Sequence, residues 1–239
     1  MTTRLGTVLS TLDLPLAELC SARIDGELFA IGDVWCPIDQ PDGARERAQA
    51  AARLVPARAI SERFTAAWIF GGAPEPRQHQ FCVDTSARAH VAFSTRYQLR
   101  EVTGISAETI DLGGVLVTSP RRTVVDLART SDVGDDDVLP VIVALLASCA
   151  TLQGNALERH PLLQSGRQYA ALARGRIHRA RAQLAAEAAQ AANAAEDLSV
   201  AYPVHVIHRV NATHGIQHTV EVGGVPHLKH EAAERKAVA

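Results

Sequence analysis

The sequence predicts an α+β protein, because strand-like runs and helical stretches occupy different parts of the chain. Between residues 78 and 117, short runs rich in Val, Phe and Tyr are separated by Ser, Gly and Asp, as strands are separated by turns. From residue 135 onward, an apolar stretch and then a long Ala- and Arg-rich stretch indicate helices. We therefore predict a small, mostly antiparallel sheet with packed helices, followed by a helical C-terminal region.

The first 40 residues are predicted to begin with one helix. Asp13 can cap this helix and Gly26 can end it. Three apolar residues are predicted to share its inner face: Leu16, Leu19 and Cys20.

A β-hairpin is predicted directly after this helix. Gly32-Asp33 can form a type II′ turn, which requires Gly at its first central position and pairs Ile31 with Val34 and Phe29 with Cys36. A winged helix also ends in a helix and a hairpin. A full winged helix has two further helices before this one, and too few residues precede Asp13 to form them. Residues 1–40 are therefore predicted to be a truncated winged-helix-like unit.

This N-terminal unit is acidic. Between residues 13 and 39, six acids occur against the single cation Arg23: Asp13, Glu18, Asp25, Glu27, Asp33 and Asp39. Such a surface would be repelled by DNA phosphates. The unit is therefore predicted to be a docking or dimerisation element, and not the part that contacts DNA.

Residues 41–150 are predicted to form the main α+β domain. Two short helices between residues 42 and 72 carry three arginines that could contact phosphates: Arg45, Arg53 and Arg63. A solvated helix face is the favoured explanation of the same arginines. Next come four strand-like runs: QFCVD, HVAF, TRYQLREV and GVLV. A buried apolar helix is then predicted to start at Asp135-Asp136-Asp137.

The segment GGVLVTSPRRTVVDLART, residues 113–130, predicts a strand that leads into a capped helix. Ser119 can accept from the first helical N–H groups, and Pro120 suits the first helical position. Apolar residues recur on one face of the helix, whereas Arg121, Arg122 and Arg129 are predicted to lie on the other.

Part of this segment, TSPRRTVVDLAR, resembles the strand-to-helix segment of AbiEi-type antitoxins, bacterial proteins that accompany a nucleotidyltransferase-like toxin and are usually described as DNA-binding autorepressors. Residues 59–68, followed by Gly71-Gly72, resemble the same family's short helix ahead of a glycine turn. The resemblance covers residues 12–150. It implies a winged helix, and promoter DNA and the toxin as partners. The motif residues are Ser119, Pro120, Arg122 and Asp126.

Residues 151–197 are predicted to be helical, with one long helix from Gly166 to Asp197. Cations on one side of this helix could contact phosphates or an acidic partner: Arg167, Arg174, His178 and Arg181. A solvated face is an equally good explanation. The His-rich tail, residues 198–239, is predicted to be loosely structured with short strand-like pieces; His214 and His218 have helical ligand spacing, but Gly215 speaks against a zinc site.

Composition excludes several function classes. The formal net charge is −2 and the sequence pI about 6.5, so no global basic field attracts nucleic acid. The four cysteines form no C-x-x-C pair and are predicted to be buried thiols in a reducing compartment. No signal-peptide core or membrane-spanning run is evident, so we expect a cytoplasmic protein.

No catalytic constellation, metal site or cofactor motif emerges from the sequence. The only nuclease-like pattern is Glu234-Arg235-Lys236, which lies in polar sequence without a strand to present it.

The leading hypothesis is therefore a non-enzymatic, antitoxin-like transcriptional regulator that acts as autorepressor, toxin antagonist or both. The alternatives are a protein-interaction module without DNA binding and, third, a nuclease-related protein. Convergence of the predicted arginines on one face would favour DNA binding; scatter would favour protein interaction. The oligomeric state is left open.

Overall fold

The computed structural model of the protein describes residues 7–55, 58–87, 94–152, 154–164, 166–201, 204–209 and 217–222. The chain divides into two compact units, Met1–Leu184 and Ala185–Ala239. The structure has the α+β composition predicted from the sequence. The predicted strand HVAF, His214 and the segment Glu234-Arg235-Lys236 lie outside the described residues.

The N-terminal helix and hairpin form as predicted. Helix α1 spans Leu16–Ile24, and strands β1 (Leu28–Ile31) and β2 (Val34–Pro37) pair antiparallel. The register is the predicted one, with Ile31 opposite Val34. Gly32 has φ +55°, as the first position of the turn requires. Residues 7–15 contain no helix, so a winged helix is not confirmed.

The main sheet is mixed, and the prediction of a mostly antiparallel sheet was wrong. Its strands are β3 (Ile60–Ser61), β4 (His79–Asp84), β5 (Tyr97–Val102), β6 (Thr109–Asp111) and β7 (Leu116–Thr118), in the order β5-β4-β3-β7-β6. The β4–β5 and β3–β7 pairs are parallel, whereas β3–β4 and β6–β7 are antiparallel. Side-chain alternation indicates that a segment is a strand but says nothing about the direction of its neighbour.

Three helices pack on this sheet, α2 (Ala44–Ala52), α3 (Arg63–Ile69) and α4 (Pro120–Arg129), and α5 (Asp135–Ser148) packs on α4. One core lies beneath α2 and α3 and includes Phe81 and Val117 of the sheet. A second core joins α4 to α5 and includes Leu127 and Ile142, both fully buried. Helix α4 thus links the sheet to the helical part of the unit.

Helix α4 begins as its sequence predicts. The Ser119 hydroxyl accepts from the N–H of Arg122 at 3.2 Å, and Pro120 occupies the first helical position. Ser119 itself is held at the end of β7, because its N–H donates to the carbonyl of Glu108 at 2.8 Å. The start of α4 is therefore fixed against the sheet.

The long helix α6 spans Ala170–Ala201, four residues later at each end than predicted from Gly166 to Asp197. Arg167 precedes it and is not helical, so the predicted four-residue cation stripe is shortened. In the second unit, β8 (Val204–Arg209) and β9 (Gln217–Val222) pair antiparallel, where short strand-like pieces were predicted. His218 lies on β9, and not on a helical turn.

Candidate functional site

A network of buried ion pairs connects the sheet to α4. Arg100 on β5 donates to both carboxylate oxygens of Glu62, each at 2.5 Å, and approaches Asp126 at 3.4 Å. Asp126 also accepts from Nε of Arg122 at 2.9 Å, and Nη1 of Arg122 donates to Glu108 at 2.6 Å. The acids Glu62 and Asp126 are almost fully buried. The network alternates in charge, so each buried ion has an opposite neighbour.

Local structure positions these residues. Arg122 and Asp126 are one turn apart on α4, the spacing at which helical side chains meet. Glu62 directly follows β3 and is fixed there by donating its N–H to the carbonyl of Gln80 on β4. Burial lowers the pKa of Arg100, but the hydrogen bonds to Glu62 and the charges of Glu62 and Asp126 together outweigh burial and raise it.

His160 meets the outer end of this network. Its Nε2 lies 2.9 Å from Glu108 Oε1, and its Nδ1 accepts from the N–H of Leu162. Burial lowers the pKa of His160 more strongly than the Glu108 carboxylate raises it. The pKa of Glu108 is lowered in turn: burial opposes this, but Arg122 and His160 together outweigh it.

An open pocket of about 220 Å³ lies beside the network, and we call it the arginine pocket. Its lining residues are Arg63, Arg100, Asp126, Arg129, Thr130, Ser131, Asp132, Gln168 and Tyr169. Two of its three guanidinium groups, those of Arg63 and Arg129, have a buried Nε with no hydrogen-bond partner among the described residues. The pocket is thus lined by guanidinium groups whose hydrogen-bond donors are only partly paired within the described residues.

Two residues of the arginine pocket have an unusual backbone. Among the described residues, Arg63 (φ +47°) and Tyr169 (φ +60°) are the non-glycine residues with positive φ. This left-handed region is disfavoured for side chains with a Cβ. Backbone strain of this kind often accompanies binding sites.

The predicted phosphate-contacting arginines do not converge. Arg45 is exposed on α2 and lies against the turn at Gly113. Arg53 is exposed directly after α2 and is 3.9 Å from Asp13. Arg63 lines the arginine pocket.

The remaining predicted cations belong to the C-terminal helical region. Arg167 is exposed ahead of α6. Arg174 donates to the carbonyl of Leu163 at 2.5 Å, and Arg181 pairs with Glu158 at 2.9 Å. Both helical arginines thus have partners within the chain.

One of the four motif residues, Arg122, lies in a different environment from the one its position suggested. Ser119 and Pro120 start α4 as predicted. Arg122, however, was predicted on the solvated face and is only 6% exposed, because Asp126 and Glu108 neutralise it inside the protein. Helical spacing identifies faces, but it does not show that a partner carboxylate will draw a cation inward.

Arg100 and Glu62 were not predicted as site residues. They are separated by 38 residues in the chain, and Arg100 is 26 residues from Asp126, so no local pattern connects them. The available signal was strand alternation in TRYQLREV, which places Arg100 on one face of β5 with Gln98 and Val102.

The surface of the N-terminal unit has unusual apolar exposure. Of the nine residues of α1, Leu19 is the one that is buried. The predicted inner face was therefore wrong for Leu16 and Cys20, which are exposed. Leu16, Cys20 and Ile24 recur at every fourth residue, so they form one stripe, here called the α1 stripe.

Further exposed apolar residues lie near the ends of α1 and the hairpin. Leu12 is 84% exposed and Ile38 is 65% exposed. The acids of this unit without an ion pair to any described residue are Glu18, Asp25, Glu27 and Asp39, whereas Asp33 pairs with Arg96. The α1 stripe is therefore an apolar surface in acidic surroundings.

Across the part of the chain that the structure describes, no three His, Cys, Asp or Glu side chains are grouped so that they could share a metal ion. In the same part of the chain, none of the helices has the length and apolar character needed to cross a bilayer.

No protein-family model matches the chain, and no curated protein matches it. Among solved structures, the chain is similar to the RV2827C protein from Mycobacterium tuberculosis, with a TM-score of 0.36 and 17% identity over 75% of this chain and 76% of that chain. At this TM-score the similarity supports no functional conclusion. The function proposed below rests on the residues of this chain.

Proposed function

We propose that the protein is a non-enzymatic regulator of the antitoxin type that acts by binding another protein through the α1 stripe. The proposed partner is the nucleotidyltransferase-like toxin that the AbiEi resemblance implies. In this proposal the protein antagonises the toxin by direct contact, and the predicted arginines of α2 and α6 do not form a DNA-binding surface.

The observation that supports this proposal most directly is the exposure of α1. A nine-residue helix normally buries an apolar face, yet Leu16 is 54% exposed and Ile24 is 85% exposed. Large apolar side chains grouped on a surface and rimmed by polar groups are typical of protein-interaction sites. Four of the five large apolar side chains that are exposed among the described residues fall within residues 12–38.

Charge indicates what kind of partner would fit. The acids around the α1 stripe, such as Glu18 and Asp25, favour a basic surface on the partner. A second copy of this chain would bring the same patch onto itself, as two-fold symmetry requires, and would place acids opposite acids. The same acids would repel the phosphates of DNA.

The test is a binding titration with the nucleotidyltransferase-like protein encoded beside this gene. We expect Leu16→Ser combined with Ile24→Ser to raise the Kd at least about tenfold, because these side chains would lose apolar contact in the interface. Both residues are exposed in the free protein, so the double variant should keep the fold. The matched control is Ala171→Ser with Ala182→Ser, two exposed positions on α6.

An unchanged Kd for the α1 variant, or an equal loss in the α6 control, would contradict the α1 stripe as the binding surface. The absence of any such neighbouring gene product, or of any binding to it, would contradict the proposed partner. Gel-shift titrations with the gene's own promoter form the second arm. Binding that weakens when Arg167, Arg174 and Arg181 are changed to Gln, with a flatter salt dependence, would instead support the DNA-binding alternative.

A further inference from the structure

We propose that the arginine pocket is a binding site for the phosphate group of a small phosphorylated molecule. The site is distinct from the α1 stripe, and its occupancy does not depend on the protein partner proposed above.

The first support is the unequal use of the three guanidinium groups. Arg100 is paired with two carboxylates, since Glu62 accepts from its Nε and Nη2, and the same Nη2 lies 3.4 Å from Asp126. Arg63 approaches the same Glu62 only at 4.0 Å, and Arg129 donates to the carbonyl of Gln168 at 3.2 Å. Both leave Nε buried without a partner among the described residues, although a guanidinium offers five donors.

The second support is the local charge. Asp126 on the pocket wall is already shared between Arg122 and Arg100, and Asp132 is exposed. Burial lowers the pKa of Arg129; the nearby Arg122, Arg100 and Arg63 lower it further, against the opposing effect of Asp126. A bound anion would relieve this repulsion.

The choice of phosphate over carboxylate follows from the donors. Within the described residues, Arg63 reaches a carboxylate only at 4.0 Å, on Glu62, and Arg129 forms no ion pair. A dianionic phosphate can balance both cations, whereas a carboxylate balances one. Planar guanidinium groups bind phosphate oxygens in pairs. Ser131 and Gln168 add a hydroxyl and an amide at the wall, and both can donate to oxygen.

The size of the pocket indicates that it encloses only the phosphate group of the ligand. A volume of about 220 Å³ is smaller than the roughly 300–1,000 Å³ of pockets that enclose a whole drug-sized ligand. The phosphate would occupy the pocket, and the rest of the molecule would extend outward past Tyr169, whose side chain is 43% exposed.

The experiment measures binding of inorganic phosphate to the full chain by calorimetric titration, with thermal unfolding as a second readout. Ionic strength is held constant with sodium chloride, and sodium acetate is titrated in parallel. We expect phosphate, but not acetate, to bind saturably and to raise the Tm, because ligand binding to the native state stabilises it. Arg129→Gln and Arg63→Gln should each weaken phosphate binding at least tenfold.

Arg121→Gln is the matched control. Arg121 is also on α4 and also has a buried Nε without a partner in the described chain, but it does not line the arginine pocket. This variant should bind phosphate like the parent. Saturable binding that is lost equally in Arg121→Gln, that is retained in both pocket variants, or that acetate reproduces would overturn the proposal, as would the absence of phosphate binding in the parent. Circular dichroism of each variant separates lost binding from lost fold.

Discussion

At the scale of single residues, the backbone of Arg63 is the clearest sign that the arginine pocket is more than a surface depression. A left-handed conformation costs a residue with a Cβ roughly 1–2 kcal/mol, and glycine avoids this cost. Arg63 nevertheless occupies φ +47° at the start of α3, where its side chain lines the pocket. The conformation is explained if the position of the guanidinium group matters more than the stability of the turn.

We predict that Arg63→Gly will be more stable than Arg63→Ala by about 1 kcal/mol. This reverses the usual order, because glycine within a helix is normally less stable than alanine by roughly 0.5–1 kcal/mol. Both variants remove the guanidinium group, so their difference isolates the backbone. The measurement is the free energy of unfolding in urea. If the alanine variant proved the more stable, Arg63 would not be strained in solution.

Single residues in the sequence predicted contacts within one helical turn but not contacts between residues far apart in the chain. Ser119 and Pro120 determine the start of α4 through contacts within the same turn, and both were predicted correctly. Asp13 was expected to cap α1, but its carboxylate accepts from the N–H and hydroxyl of Ser10, and α1 starts after Pro15. Arg122 was expected in solvent because one of its partners, the half-buried Glu108, is 14 residues away.

At the scale of elements, α4 is held by a charge network as well as by its apolar face. Asp126 is the link between the helix and the sheet, since it contacts Arg122 on its own helix and Arg100 on β5. Removing one partner from a buried ion pair is costly because the remaining charge stays buried.

Asp126→Asn is therefore expected to lower the free energy of unfolding by about 2–3 kcal/mol. This is less than the ~3–5 kcal/mol found for a fully buried pair, because Glu62 and Glu108 would still neutralise the two arginines. Glu158→Gln is the control: it breaks the exposed pair with Arg181 and should cost less than about 1 kcal/mol. Urea denaturation of the two variants measures both values. Equal costs would mean that Asp126 does not support α4.

The hairpin and the main sheet show how far elements can be predicted. The register of β1 and β2 follows from the two residues of their turn, Gly32-Asp33, and it was predicted correctly. The sheet, by contrast, brings β3 beside β7 although more than 50 residues separate Ser61 from its partner Val117. Strand β3 has only two residues, too few to show an alternating pattern, so neither it nor the sheet order was predicted.

At the scale of the whole molecule, the arginine pocket is assembled from distant parts of the chain. Arg63 starts α3, Arg100 lies on β5, Arg129 ends α4 and Tyr169 precedes α6. In the sequence, Arg63 and Arg45 belong to the same helical stretch and were predicted together as phosphate contacts, whereas Arg129 was not among the predicted site residues. Only the packing of α3, α4 and the sheet shows which cations share one site.

The long-range packing of the molecule also buries two histidines. Burial lowers the pKa of His79 in the sheet core, although Glu75 opposes this, and it lowers the pKa of His160 beside Glu108. Both imidazoles are therefore neutral in the folded protein at a pH at which the unfolded chain, with a histidine pKa near 6.5, takes up protons.

The sign of the pH dependence follows from this difference in proton uptake. As the pH falls from 7.5 through 6.5, the unfolded state binds more protons than the native state, so the free energy of unfolding must decrease. The lowered pKa of Glu108 causes a second decrease in the free energy of unfolding below pH 4.5, the ordinary glutamate pKa. In that range the Glu108 carboxylate is protonated and its ion pairs are lost. The loss between pH 7.5 and 5.5 thus belongs to the histidines.

We predict that urea midpoints will fall steadily between pH 7.5 and pH 5.5, and that His160→Gln will make this fall smaller, because it removes one of these two buried imidazoles. His178→Gln, on the exposed face of α6, is the matched control and should leave the pH dependence unchanged. A midpoint that is constant or rises as the pH is lowered would show that these imidazoles are not buried neutral in solution. If His178→Gln reduced the dependence as much as His160→Gln, the effect could not be assigned to the packing of His160 against Glu108.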